Sequence, residues 1–143
     1  QHVDADWMPL RGRMLHLLQE EAELDEIVKL VGMDALSPSD RLKMETARSI
    51  REDFLHQLAF HEVDTYTSLQ KQLLMMRLIL NFYDLANETL GQGGEIEKIV
   101  TLPVREEIGR FKYVPEDQIG EAFGRISTDL VNQMKETIGE ERL

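Results

Sequence analysis

Apolar residues recur at helical spacing along almost the whole chain. Between Trp7 and Val31 they fall at steps of three, four and seven residues, which places them on one face of an α-helix. The same periodicity returns between Leu42 and Leu58 and again from Ile119 onward. No alternating run in the sequence indicates a pair of β-strands. The sequence therefore predicts an all-α protein, a helical bundle of about four to six helices.

The first helix has recognisable capping residues at both predicted ends. Asp4 and Asp6 are candidate N-caps, and Pro9 would then lie in the first turn, where a missing N–H does no harm. Gly32 suits the position just after the last turn. The dense acidic stretch at 19–26 predicts either a solvated helix face or a break between two helices.

The second helix is predicted to begin at Ser37 and Pro38. Ser is a good N-cap, and Pro has its φ already set for the first helical position. The charges on this helix mix both signs, so we expect surface ion pairs of little value each: Arg41, Lys43, Glu45, Arg48, Arg51, Glu52 and Asp53.

The helix predicted from Ser68 to about Leu90 is apolar nearly all round. Such a helix is typical of the central, buried position in a bundle. After a glycine-rich break at 91–94, two short helices are predicted on either side of Pro103. Pro115 is predicted to open the last helix.

Composition and missing motifs exclude several functional classes. The chain has 16 Lys+Arg against 27 Asp+Glu, a net charge of -11, which argues against binding nucleic acid. It has no Cys, which excludes disulfides, a thiol nucleophile and Cys-ligated metals. It also lacks a phosphate-binding Gly-x-x-x-x-Gly-Lys loop, a His-Glu-x-x-His pair and an apolar run long enough to span a bilayer. We therefore expect no catalytic residue, no metal site and no membrane insertion in this chain.

The segment 58–67 breaks the helical pattern and is interpreted as a loop. It gathers Phe60, His61 and Tyr66 where no helical stripe demands aromatic residues. From the residues alone, two interpretations stay open: the rings close one end of the bundle, or they stack on a flat ligand.

Several runs of the sequence resemble the catalytic subunits of rotary ATPases. The run at 27–40 resembles their helix-loop-helix, whose loop in the F-type beta subunit reads Gly-Met-Asp-Glu-Leu-Ser-Glu-Glu-Asp. The runs at 47–57, 59–66 and 68–72 look like the catalytic A subunit of V-type and archaeal A-type ATPases. The resemblance covers roughly residues 4–112, and three acids of the F-type loop are replaced here by Ala35, Pro38 and Ser39.

This resemblance implies that residues 1–143 are a single C-terminal helical domain of the catalytic A subunit of an H⁺- or Na⁺-translocating ATPase or ATP synthase. It implies a rotor-facing helix-loop-helix at 5–57, a nucleotide-side loop at 58–67 and further helices at 68–143. The nucleotide-binding domain would lie outside this chain, so the chain alone would be inactive, and ATP or ADP with Mg would bind to the parent subunit. The implied partners are the B subunits, the central shaft subunit and the rest of the same A subunit, in a complex peripheral to the membrane on the cytoplasmic side.

The resemblance also assigns candidate site residues. Phe60 and Tyr66 fall where aromatic residues of the F-type subunit line the adenine pocket, which favours nucleotide contact over a closing role. Since only two acids remain in the loop that meets the rotor, a steric push suits this sequence better than an electrostatic contact. That loop comprises Asp34, Ala35, Leu36, Ser37, Pro38, Ser39 and Asp40.

Two other functions compete with this hypothesis. One is a free-standing helical adaptor that binds partner helices in an exposed apolar groove. The other is a small enzyme with carboxylate chemistry.

Overall fold

The computed structural model describes residues 2–55 and 68–139, with side chains described from Trp7 onward. Within these ranges the chain forms helices and no strand, which confirms the predicted all-α bundle. The six α-helices are α1 (His2–Val31), α2 (Pro38–Ser49), α3 (Leu69–Gly91), α4 (Ile96–Val100), α5 (Pro103–Arg110) and α6 (Ile119–Thr137). A π-helical turn, Ile50–Leu55, continues α2.

Helix α1 is longer at its start than the sequence predicted. It begins at His2, so Asp4 and Asp6 lie inside the helix, and Pro9 lies in its interior rather than in its first turn. The missing Pro9 N–H removes one hydrogen bond of the ladder without ending the helix. The acidic stretch at 19–26 does not break α1, because it consists largely of Glu, Ala, Leu and Gln, which are good helix formers.

The turn between α1 and α2 was predicted correctly. Gly32 has a φ of 92°, and its N–H donates to the Val28 carbonyl at 2.8 Å. A positive φ is a conformation that glycine adopts at little cost. The Ser37 hydroxyl then accepts a hydrogen bond from the Asp40 N–H at 3.1 Å, and Pro38 takes the first helical position.

Helix α3 is the central helix of the bundle, as predicted. The Ser68 hydroxyl caps it by accepting from the Lys71 N–H at 3.0 Å. It packs against α1, α2 and α6, and most of its apolar side chains are buried. Leu69 is an exception, because it lies in the first turn and is 57% exposed.

The last third of the chain completes the core. Pro103 begins α5 as predicted, whereas Pro115 does not begin the last helix. Pro115 instead precedes a 3₁₀ turn, Glu116–Gln118, and α6 begins at Ile119. Helix α6 contributes one buried face to the core, comprising Ile119, Ala122, Ile126, Leu130 and Met134.

Candidate functional site

The predicted rotor-facing loop lies at the exposed end of the α1–α2 hairpin. Met33–Ala35 form a 3₁₀ turn, and no residue of that turn is buried. Most side chains from 34 to 40 are exposed, while Leu36 and Asp40 are half-buried. Asp40 lies 3.8 Å from the Lys43 ammonium.

An apolar patch borders this loop. Leu30 is 84% exposed, Val31 63%, Ile27 45% and Met33 43%. Ile27, Leu30 and Val31 stand three and four residues apart, so they share one face of the last turns of α1. We call these four residues the apolar tip patch. The periodic pattern places Val31 on the apolar stripe of α1, yet the residue is exposed, because the bundle does not cover that side of the helix end.

Ion pairs hold the two helices of the hairpin together. The Lys43 ammonium donates to Glu20 at 3.1 Å, and this hydrogen bond raises the pKa of Lys43. The Arg51 guanidinium donates to both carboxylate oxygens of Glu21, at 3.1 and 2.5 Å, which raises the pKa of Arg51. Glu20 and Glu21 of the acidic stretch therefore join α1 to α2 and to the π-helical turn that continues it.

A row of polar residues runs along the opposite side of α2 at steps of four. Each member contacts a residue between positions 97 and 112, in α4, α5 or the turn that follows α5. Arg41 pairs with Glu97, Glu45 with Arg105 at 2.9 Å, and Asp53 with Lys112 at 3.3 Å. We call this set the polar seam, and it comprises Arg41, Glu45, Ser49 and Asp53 on the α2 side and Glu97, Arg105 and Lys112 on the other.

The π-helical turn keeps the last member of this row in line. Four residues of an α-helix turn about 40° beyond a full rotation, so a step of four gradually leaves its face. The wider turn at Ile50–Leu55 opposes that drift and returns Asp53 to the seam. Glycine at 109 permits the close approach, since a Cβ there would lie 3.1 Å from the Asp53 Oδ1.

Sequence reasoning missed the polar seam. It expected surface ion pairs on α2, whereas Glu45 and Arg105 are 18% and 13% exposed and join two helices. The signal that could have found the seam is the spacing of residues 41, 45, 49 and 53, which places polar groups on one helix face. Their partners lie more than 50 residues away in the chain, so no local pattern identifies them.

Two carboxyl groups lie close together between α5 and α6, those of Glu107 and Asp129. Burial raises the pKa of Glu107, and its hydrogen bond with Asp129 raises it further, while Arg125 opposes the shift.

Two candidate residues cannot be placed. Phe60 and Tyr66 belong to the predicted loop at 58–67, which lies outside the described residues. Among residues 2–55 and 68–139, no group of His, Asp and Glu side chains is arranged to hold a metal ion. In the same ranges, no helix combines the length and apolar character needed to cross a membrane.

The described residues therefore form an all-α bundle domain, with an exposed apolar patch at the end of a hairpin whose helices are joined by ion pairs. The chain belongs to the family described as the C-terminal domain of V and A type ATP synthase, whose model matches residues 1–100.

Similar proteins share this sequence over nearly its whole length. A protein of Acetivibrio thermocellus named V-type ATP synthase alpha chain is 55% identical over 141 residues, which cover 99% of this chain and 24% of that protein. Proteins of the same name from Clostridium perfringens and Thermoanaerobacter pseudethanolicus are both 52% identical, over 97% and 94% of this chain and 23% of their own length. The chain thus spans about a quarter of the length of these curated relatives.

Proposed function

We propose that this chain is the C-terminal helical domain of the catalytic A subunit of a V/A-type ATPase or ATP synthase. In that role it couples ATP hydrolysis or synthesis in the parent subunit to rotation of the central shaft. Its partners would be the B subunits, the shaft and the rest of its own subunit, peripheral to the membrane on the cytoplasmic side. Identity of 55% to an ATP synthase alpha chain over 99% of the chain supports this function over a free-standing adaptor.

The observation that carries the mechanical part of the proposal is the apolar tip patch. A side chain such as Leu30, 84% exposed, gains free energy only when a partner covers it. The patch lies beside the loop at 34–40, which keeps only Asp34 and Asp40 as charges. An apolar contact surface with few charges suits steric pressure on the shaft.

The hairpin is built to transmit such pressure. Its tip is fixed by the Ser37 cap and by Pro38, and the middle of α1 is joined to α2 and its π-helical turn by the Glu20–Lys43 and Glu21–Arg51 pairs. A stiff element with apolar contacts at its end can pass on a displacement without any electrostatic attraction to the shaft.

The tip can be tested by placing a charge on it. In the complete membrane complex, Val31→Asp is expected to reduce the number of ions transported per ATP hydrolysed by about twofold to tenfold. The proposal assigns nucleotide contact to other residues, so the affinity for ATP should stay unchanged. Transport and hydrolysis can both be measured in proteoliposomes, with a potential-sensitive dye for transport and phosphate release for hydrolysis.

The matched control is Val131→Asp on α6. Val131 is also an exposed valine, at 39%, but it lies away from the hairpin end. The control should transport ions as the wild type does. Unimpaired transport by Val31→Asp would show that the tip does not press on the shaft, and the mechanical part of the proposal would fail.

The aromatic loop keeps the role that the family resemblance assigns to it. We propose that Phe60 and Tyr66 contact adenine in the parent subunit. Phe60→Ala should then weaken nucleotide binding by about 1–3 kcal/mol, the usual worth of a ring stacked on a base. Equilibrium binding of a fluorescent ATP analogue to the complete complex measures this, and an unchanged dissociation constant would remove Phe60 from the pocket.

The chain itself is proposed to bind and couple rather than to catalyse. It contains no Gly-x-x-x-x-Gly-Lys loop to hold phosphates. Nucleotide hydrolysis is therefore assigned to the part of the parent subunit that this chain does not include.

A further inference from the structure

Two kinds of contact attach α2 to the remaining helices, while α1 is also joined to α3 by an exposed ion pair between Arg13 and Asp84 at 2.6 Å. One is the apolar core, to which α2 and its π-helical turn contribute Leu42, Ile50 and Phe54. The other is the polar seam against α4 and α5. Apolar contacts are individually non-directional, although the close packing of the core still resists sliding. Hydrogen bonds to charged groups fix both distance and direction.

Arg105 is the centre of the seam. Its guanidinium donates to the Glu45 carboxylate at 2.9 Å, to the Glu45 carbonyl at 3.1 Å and to the Ser49 hydroxyl at 2.8 Å, all on α2. It also donates to the Val100 carbonyl at the end of α4, at 3.0 Å. Its Cζ lies 5.4 Å from the centre of the Phe82 ring on α3. One side chain on α5 thus contacts three other helices.

The other two pairs of the seam hold less firmly. Glu97, the partner of Arg41, is 69% exposed. Lys112 donates to Asp53 at 3.3 Å and to the Glu52 carbonyl at 3.4 Å, which are long distances for hydrogen bonds. Arg105 makes more bonds than Arg41 or Lys112, and shorter ones than Lys112, so it contributes most to the register of the seam.

The outer side of the seam is open, although Val100, Leu102 and Pro103 line part of it. A groove of about 570 Å³ opens there between the end of α2 and α5, and its lining includes Arg48, Ser49, Asp53 and Arg105. The hydrogen bonds of Arg105 therefore add a directional constraint that opposes rotation of α2 against α5.

We infer that Arg105 is a positioning residue for energy coupling, because it locks the rotor-facing hairpin to the rest of the domain. This inference rests on the proposed function. A force applied at the tip reaches the other helices through the seam only while α2 keeps its register against α5. Without Arg105 the hairpin yields, so ATP is hydrolysed while part of the displacement is lost.

The test compares two arginines that bind the same carboxylate oxygen in the complete membrane complex. Arg105 and Arg48 both donate to the Glu45 Oε1, at 2.9 and 3.0 Å, but Arg48 lies on α2 itself, so its bond to Glu45 joins no second helix. Arg105→Met should reduce the ions transported per ATP by about twofold to tenfold, with an unchanged KM for ATP. Arg48→Met should leave both quantities at the wild-type level.

The ratio of transport to hydrolysis separates coupling from simple destabilisation. A damaged fold lowers both rates together, whereas a yielding hairpin lowers transport alone. If Arg105→Met prevents assembly, Arg105→Lys decides, since it keeps the charge and loses the forked geometry. A wild-type ratio in the assembled variant would overturn the inference. If Val31→Asp lowers the number of ions transported per ATP while the Arg105 variant keeps the wild-type ratio, the proposed function stands and only the role of Arg105 fails.

Discussion

Replacing Phe111 with alanine is expected to lower the free energy of unfolding by about 3–5 kcal/mol. Phe111 lies in the 3₁₀ turn Phe111–Tyr113 after α5, is 0% exposed and belongs to the continuous core. The change removes the transfer free energy of the ring and leaves a cavity that close-packed neighbours fill only in part. Urea unfolding of this chain, followed by circular dichroism, measures the loss.

The same turn supplies a control for that experiment. Tyr113, two residues further on, is 75% exposed, and its ring lies 5.6 Å from the Lys112 ammonium. Tyr113→Ala should cost no more than about 1 kcal/mol, the worth of an exposed cation–π contact. If Phe111→Ala costs as little as Tyr113→Ala, the core does not depend on this turn, and the packing described above is wrong.

Most of the fold could be predicted because helices obey local rules. The caps Ser37 and Ser68 and the glycine at 32 are each decided by one residue and its immediate neighbours, and the structure confirms all three. The start of α1 could not be predicted in this way. Proline at position 9 fits a first turn by local rules, whereas the structure continues the helix back to His2.

The candidate site was only partly predictable, for a different reason. The hairpin end followed from capping and from the family resemblance, but exposure depends on what covers a side chain. Val31 fits the periodic stripe of α1 and is nevertheless 63% exposed. Arg105 carries no local sign of its role, because its partners Glu45 and Ser49 lie on another helix. Ion pairs between distant segments follow from tertiary packing and not from spacing alone.

The second large effect is expected at a buried lysine on α3. Lys71 is 4% exposed, and its ammonium donates to the carbonyls of Lys112 and Val114 at 2.7 Å each. Lysine is almost never so buried without partners of this kind. Lys71→Met leaves both carbonyls without that donor, and we expect a loss of about 2–4 kcal/mol in the free energy of unfolding. Lys98→Met is the control, since that side chain is 63% exposed.

The pH dependence of this loss tests its cause. Burial lowers the pKa of Lys71, and the nearby Glu116 opposes that shift only in part. The native chain therefore releases this proton at a lower pH than the unfolded chain, whose lysines titrate near a pKa of about 10.4. Between those two pKa values the unfolded state binds more protons, so the contribution of Lys71 to stability increases as the pH rises.

The Lys71→Met variant lacks the contribution of Lys71 titration to stability, whereas all other groups titrate in both chains. The difference in unfolding free energy between wild type and Lys71→Met should therefore grow with pH, up to the pKa of the unfolded lysine at about 10.4. Urea unfolding of both chains across the alkaline range measures that difference. A difference that shrinks as the pH rises would mean that contacts to the ammonium outweigh its burial in the native state. The carbonyls of Lys112 and Val114 would then stabilise the charged form rather than merely offset the loss of water.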